Sequence, residues 1–323
     1  LTFIVRSEID TNIWVQVIRD SITKDGDRIF TIHAHYPRII HAEVKTHRVL
    51  STNSSSSRAV PVLNFIETIE DNPFIPSFLG TNKPGMVAGE DLSEEDKKKA
   101  IKIWKSACKS ALRYAKQLQE LQVHKQIANR LTEPFQYMNT VITATEFENF
   151  LWLRDHPEAE PHFHELASLI KIALQDSTPQ VLNVGEWHLP FIDTNRDENG
   201  ILHYGLVEEI EENPKGTFTP KFTEIDLQTA QRISASCVAQ ISYRKCDRSI
   251  EKANDIFKRL IESDPMHSSP VEHQATPIDY GVFSDVNLGF NDSGITHMDR
   301  LYRLCSGNLK HWIQYRQLLQ NIK

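Results

Sequence analysis

The chain has no Cys-x-x-Cys pair, no Gly-x-Gly-x-x-Gly or Walker pattern and no His-Glu-x-x-His motif. These absences count against zinc ribbons, the common glycine-loop nucleotide folds and metalloprotease chemistry. Its four cysteines, Cys108, Cys237, Cys246 and Cys305, fit no disulfide framework, so idle thiols in a reducing compartment are expected. Positive charge is not in excess either. A formal net charge of −7 implies no general polyanion-binding surface but leaves room for a few arginines in one pocket. Small phosphorylated ligands are therefore expected rather than nucleic acid. No apolar run approaches the length of a membrane span, and Glu8 falls too early for a signal peptide, so a cytoplasmic protein is expected. His156, His162 and His164 lie close together, but their spacing is weak evidence for a metal; surface histidines on a helix are the expectation.

Hydrophobic residues make up 40% of the 323 residues and charged residues 24%, the balance of a globular protein with a sizeable core. Residues 28–36 read as a strand with Phe30, Ile32 and Ala34 on one face, ended by Pro37. Ile40, Val44 and His47 predict a helix over 38–50, stopped by the serine-rich run from Ser51 to Ser57. Residues 72–92 read as irregular, and Asn82-Lys83-Pro84-Gly85-Met86 as a turn or a loop over a pocket. Ser93 is an N-cap for a long helix to about Leu121, with an apolar stripe through Ile101, Trp104, Ala107, Leu112 and Leu118. Further helices are expected at 145–154, 159–174, 227–241, 249–263 and 308–321. Residues 192–224 are polar and read as a hairpin or exposed insertion rather than core. The cluster Gly185-Glu186-Trp187-His188-Leu189-Pro190 has no assignable role at this level.

The densest polar cluster runs Thr46-His47-Arg48-Val49-Leu50-Ser51-Thr52-Asn53-Ser54-Ser55-Ser56-Ser57-Arg58. Two guanidiniums bracket a loop of small hydroxyl residues, a composition suited to bidentate phosphate binding with backbone amides close by. Composition alone favours a solvated linker, as serine runs usually are. The spacing His47-Arg48-x-x-Ser51-x-Asn53-x-x-Ser56-x-Arg58 resembles the signature of flavin-dependent thymidylate synthases, with Thr46 where that family has arginine. The preceding Phe30-Thr31-Ile32-His33-Ala34-His35-Tyr36-Pro37 is similar to the strand that feeds the motif. Ala128-Asn129-Arg130-Leu131 and Asn149-Phe150-Leu151-Trp152-Leu153-Arg154 resemble further family segments. Glu158 and Glu160 depart from the pattern that follows. Late in the chain, Val238-Ala239-Gln240-Ile241-Ser242-Tyr243 and His267-Ser268-Ser269-Pro270-Val271-Glu272-His273 resemble segments that precede the strand in ordinary members, a permutation-like order.

The resemblance implies an α+β fold, a twisted and mostly antiparallel sheet packed with long helices. It implies one composite catalytic domain over 1–323: a nucleotide and flavin segment at 1–191, the polar insertion at 192–224 and a second flavin segment at 225–323. It implies methylation of dUMP to dTMP with methylenetetrahydrofolate as carbon donor, FAD as cofactor and NADPH as reductant. Ser56, Ser57, Arg58, Arg130 and Arg154 would bind the nucleotide, with Ser56, Arg58 and Arg154 in catalytic roles. His47, Arg48, Asn53, Asn149, Ser242, His267, Ser269 and Glu272 would contact the flavin, with no metal. A homo-oligomer, a tetramer above all, is implied. Departures at Thr46 and Glu158 keep open a relative that leaves a hydroxymethyl on dUMP or dCMP; a nucleotide- or flavin-binding homologue without catalysis is the alternative from a different class. A salt-bridged structural Arg154 and a proline-containing capping loop at 267–273 are the plainer readings of those residues.

Overall fold

Phe30, Ile32, Ala34 and Tyr36 are buried along one face of a strand whose other face carries Thr31, His33 and His35. This strand is the spine of the computed structural model, which describes residues 4–212, 218–242, 245–281 and 294–319. Strands β1 (Ile4–Arg6), β2 (Trp14–Thr23) and β3 (Arg28–Pro37) run antiparallel in sequence. Strands β4 (Ser51–Ser54) and β5 (Tyr137–Ala144) complete the order β1-β2-β3-β5-β4, and β6 (Gln180–Leu182) adds parallel to β2. The sheet is thus almost wholly antiparallel, and with its helices it makes an α+β fold.

Helices α1 (His41–Val44), α2 (Val62–Asp71), α3 (Glu94–Glu120), α4 (Lys125–Ala128), α5 (Glu148–Arg154) and α6 (Pro161–Asp176) belong to the first part of the chain. The Ser93 hydroxyl accepts from Asp96 N–H at 3.2 Å, and Glu94, Glu95 and Asp96 set negative charge at the positive end of α3. Its buried stripe is Cys108, Leu112 and Ala115, packed on Val62, Ile66 and Ile69 of α2; Ala107, expected in that stripe, is exposed one position away. The even face of β3 packs on Phe150 of α5 and Phe163, Leu166 and Ile170 of α6, forming the first core.

The opposite face meets the second part of the chain. Ile29, Leu182, Trp187 and Leu189 pack against α7 (Leu227–Ala239) and α8 (Ile250–Leu260), with Trp312 fully buried among them. Residues 192–224 are largely a three-stranded antiparallel sheet, β7 (Asp193–Arg196), β8 (Leu202–Glu212) and β9 (Phe218–Ile225). Ile192, Leu202 and Tyr204 belong to the second core, so this stretch is not the exposed insertion that its polarity suggested. Strands β10 (Ala275–Pro277), β11 (His297–Met298), β12 (Leu304–Ser306), β13 (Leu309–Lys310) and β14 (Trp312–Gln314) follow.

Four further expectations are corrected. Residues 38–50 form only a 3-10 turn and the four residues of α1, because the chain must double back to set Ser51 beside β5. Ser51–Ser54 is a strand rather than a turn, since pairing with Thr140–Thr143 supplies backbone partners that local serine preferences would otherwise seek. Residues 308–319 make strands and a 3-10 turn instead of a helix, because Trp312–Gln314 pairs antiparallel with Ala275–Pro277; residues 320 and 321 of that expected helix lie outside the described residues. His162 is buried, not a surface histidine: its Nε2 accepts from Ser77 N–H at 3.2 Å and its Nδ1 meets Glu160 at 2.7 Å. No helix among the described residues is long and apolar enough to cross a membrane.

Candidate functional site

The segment from His47 to Arg58 runs from the end of α1, along edge strand β4, into a loop against α4. Along its length it is stitched to the late segment. Asn53 donates from Nδ2 to the Val238 carbonyl at 2.6 Å and accepts from the Ser269 hydroxyl at 3.1 Å. Ser56 N–H donates to the Ser242 hydroxyl at 2.9 Å. Residues Ser242 and Ser269, distant in sequence from the serine run, are thus its direct partners. Tyr243, the last residue of one resembling segment, lies outside the described residues.

Two cavities open beside this segment. The larger, of about 390 Å³, lies at the Ser55-Ser56-Ser57 end and is closed by Ser242, His35, Arg38 and Tyr137. Its volume is within the ~300–1,000 Å³ range of small-ligand sites. Phe65, Ile69, Val60 and Pro61 give it an apolar wall, and no carboxylate lines it among the described residues. Gln136 also borders it; that side chain donates to Asn129 O at 3.2 Å and the Thr132 hydroxyl at 2.8 Å, while its buried Oε1 has no partner. A buried amide oxygen without a donor costs free energy. Asn129 fixes the loop by donating to the Ser57 carbonyl at 2.7 Å. The smaller cavity, of about 250 Å³, is polar and lies at the other end, between Arg48, Ser51, Glu272, Asn308 and Arg316. Arg316 pairs with Glu272, while its buried Nε has no partner.

The three expected nucleotide arginines do not line the larger cavity within one chain. Arg58 follows Ser57 directly and is exposed. Arg130 lies outside as well, its NH1 3.5 Å from Glu133; the same carboxylate binds Arg38 at 2.8 Å. Arg154 donates from Nε to His47 Nε2 at 2.9 Å and stacks over Phe163 at 4.8 Å. Burial and the Arg154 charge both hold His47 below its ordinary pKa, which keeps Nε2 an acceptor for that bond. Asn149 is exposed on α5 and His267 is exposed before its 3-10 turn; neither lines either cavity.

A buried polar chain ties the two parts together behind the site. Ser21, His188, Thr31, Thr143 and His273 are fully buried and link at 2.9, 2.8, 2.7 and 2.8 Å in that order. Burial drives both imidazoles down, His273 to about 3 and His188 well below its ordinary value, so both are neutral. The Gly185–Pro190 cluster therefore has a place: His188 anchors it to β2 and β3, and its backbone bridges to Ala275. Asn82–Met86 borders an open cavity of its own, of about 300 Å³, which shares no lining residue with the other two.

Pattern reading missed Arg38, His35, Gln136 and Arg316. The signal available for His35 was the polar alternate face Thr31-His33-His35 of a strand whose other face is apolar.

No family model matches the chain, and no curated protein matches it. Among solved structures, the chain is similar to the UMP/dUMP methylase PolB from Streptomyces cacaoi bound with 5-Br UMP. That match has 16% identity and a TM-score of 0.43, covering 53% of this chain and 92% of the other. A second structure of PolB, bound with 5-Br dUMP, gives 17% identity and a TM-score of 0.36, covering 46% and 65%. Likeness of this degree leaves the function to be read from the residues themselves.

Proposed function

We propose that the chain is a flavin-dependent pyrimidine nucleotide methylase, converting dUMP to dTMP with methylenetetrahydrofolate as carbon donor and NADPH as the source of reducing equivalents. The observation that carries this reading is the stitching of the signature segment to the late segment, Asn53 to Val238 and Ser269 and Ser56 to Ser242, beside a cavity of ligand size. A solvated linker has no reason to be held at Asn53 and Ser56 by groups whose own segments resemble the same family.

The residues fit a flavin in kind. Arg48 is an exposed guanidinium on the small polar cavity, a donor for a phosphate, and Arg316 stands beside it paired with Glu272. Arg48, Asn53, Ser242, Ser269 and Glu272 would hold the cofactor, which when bound supplies the hydride that turns a transferred methylene into a methyl. Ser56 would orient the pyrimidine in the larger cavity. Arg58 and Arg130 would take the phosphate or ring carbonyls, and Arg154, whose terminal nitrogens have no partner among the described residues, would do so while holding His47. Such donors stabilise the enolate-like charge that develops as carbon 5 becomes nucleophilic. A homotetramer with sites shared between subunits belongs to the same reading, as the route by which arginines outside one chain's cavity reach one nucleotide.

Turnover of dUMP with methylenetetrahydrofolate, NADPH and FAD, read by product mass, tests the proposal. A dTMP product supports it; a hydroxymethylated nucleotide moves the chain to a hydroxymethyltransferase, and ligand binding without any product leaves only a nucleotide-binding homologue.

A further inference from the structure

His35 stands on the wall of the larger cavity, beside the serine loop. Its ring is clasped between Trp14 and Tyr137, with centroids 5.2 Å away on each side and interplanar angles of 15° and 19°. Both faces are covered, so only the edge of the ring can meet a ligand. On that edge the two nitrogens are not equivalent. Nδ1 bonds the Asn12 carbonyl, and a carbonyl can only accept, so the proton resides on Nδ1. Burial, aided by the Arg6 charge, lowers the pKa against the opposing pull of the Asn12 bond and Asp10. Nε2 is therefore a lone-pair acceptor, and it has no partner among the described residues. The neighbouring histidine differs: His33 gives its Nε2 proton to Asn139 Oδ1 at 2.9 Å.

The rest of the wall narrows what Nε2 would meet. Arg38 is the one cation on the wall among the described residues, and no carboxylate faces it there. Arg38, though paired with Glu133 at 2.8 Å, and the hydroxyls of Ser55, Ser56 and Ser57 offer donors to ligand carbonyl oxygens, while His35 Nε2 demands an N–H donor. A ring bearing an imide, C(=O)–N(H)–C(=O), presents both. We propose that His35 Nε2 is the acceptor that reads the imide N–H of a planar heterocycle in this cavity. The proposal rests on the function set out above, in which that heterocycle is the uracil of dUMP; the isoalloxazine of a flavin carries the same imide.

Calorimetric titration of the purified chain with dUMP, N3-methyl-dUMP, dCMP and FAD separates these cases, repeated with His35→Phe, which retains a ring between Trp14 and Tyr137 but no nitrogen. The expected result is a loss on the order of tenfold in affinity for dUMP in His35→Phe, that of one hydrogen bond. N3-methyl-dUMP and dCMP should bind the unaltered protein more weakly than dUMP by at least as much. The ligand series needs no variant, so misfolding of His35→Phe does not stop the test. If FAD affinity falls in the variant while dUMP affinity does not, the imide read by His35 is the flavin's. Equal binding of dUMP and N3-methyl-dUMP by the unaltered protein, with FAD and dUMP affinities unchanged in His35→Phe, overturns the role of His35 and leaves the proposed function standing. Failure of the unaltered protein to bind either dUMP or FAD overturns both.

Discussion

Acidification should unfold this protein through its histidines before its carboxylates are much involved. His273 is fully buried with a pKa pushed down from 6.5 to about 3, and His33 is pushed down to about 4, in both cases mainly by burial. In the unfolded chain both titrate near 6.5. Folded-state values below the unfolded one mean that stability is fully present above pH 6.5 and falls as the unfolded state takes up protons that the folded state refuses. From pH 8 to pH 5 each group costs about 2 kcal/mol, and the two together about 4 kcal/mol, against a typical total of about 5–15 kcal/mol. His188, buried in the same polar chain, acts in the same direction. Glu165 and Glu43, both raised mainly by burial, act the other way. Urea denaturation at intervals from pH 8 to pH 5 measures the slope, which should approach about 1.4 kcal/mol per pH unit for each neutral histidine. His273→Asn should remove one histidine's share. A stability that stays flat from pH 7 to pH 5 would refute the neutral buried chain and the interlayer seam built on it.

Asn53→Ala removes two bonds between the early and late segments and should cost about 1–3 kcal/mol of stability by urea midpoint, with weaker flavin retention. Arg154→Ala should cut turnover by about 100-fold or more under the proposed function; near-normal activity removes Arg154 from the catalytic set. Ser93→Ala takes the cap from α3 and should lower stability by about 1 kcal/mol without changing ligand affinity. Trp312→Ala, at the centre of the second core, should cost about 3–5 kcal/mol by the same assay.

The strand at 28–37 and the helix at 94–120 were legible because their signals are local: alternation on one, a serine cap and an apolar stripe on the other. The α+β class followed from the resemblance and holds. Residues 51–54 and 312–314 were not legible, since each is a strand only by virtue of a distant partner, β5 for one and β10 for the other. For short segments such pairing outweighs intrinsic preference. Leu202 and Tyr204 sit in a polar stretch, and nothing local distinguishes them from exposed hairpin residues; the second core supplies their burial. At the site, the His47–Arg58 motif was found by spacing, and its partners Ser242 and Ser269 by resemblance. Arg38, Gln136 and Arg316 were invisible because each owes its position to tertiary packing, through Glu133, through Asn129 and Thr132, and through Glu272. Conversely, Arg58, Arg130 and Arg154, grouped only by a resemblance in sequence, do not line the larger cavity within one chain.

The most direct test of the central claim is the visible absorbance of the purified protein after addition of FAD, followed by turnover of dUMP, methylenetetrahydrofolate and NADPH with product mass. The account predicts a bound-flavin spectrum that survives desalting and a dTMP product. No retained flavin and no nucleotide product would contradict it, and would reduce the serine segment to a well-packed loop.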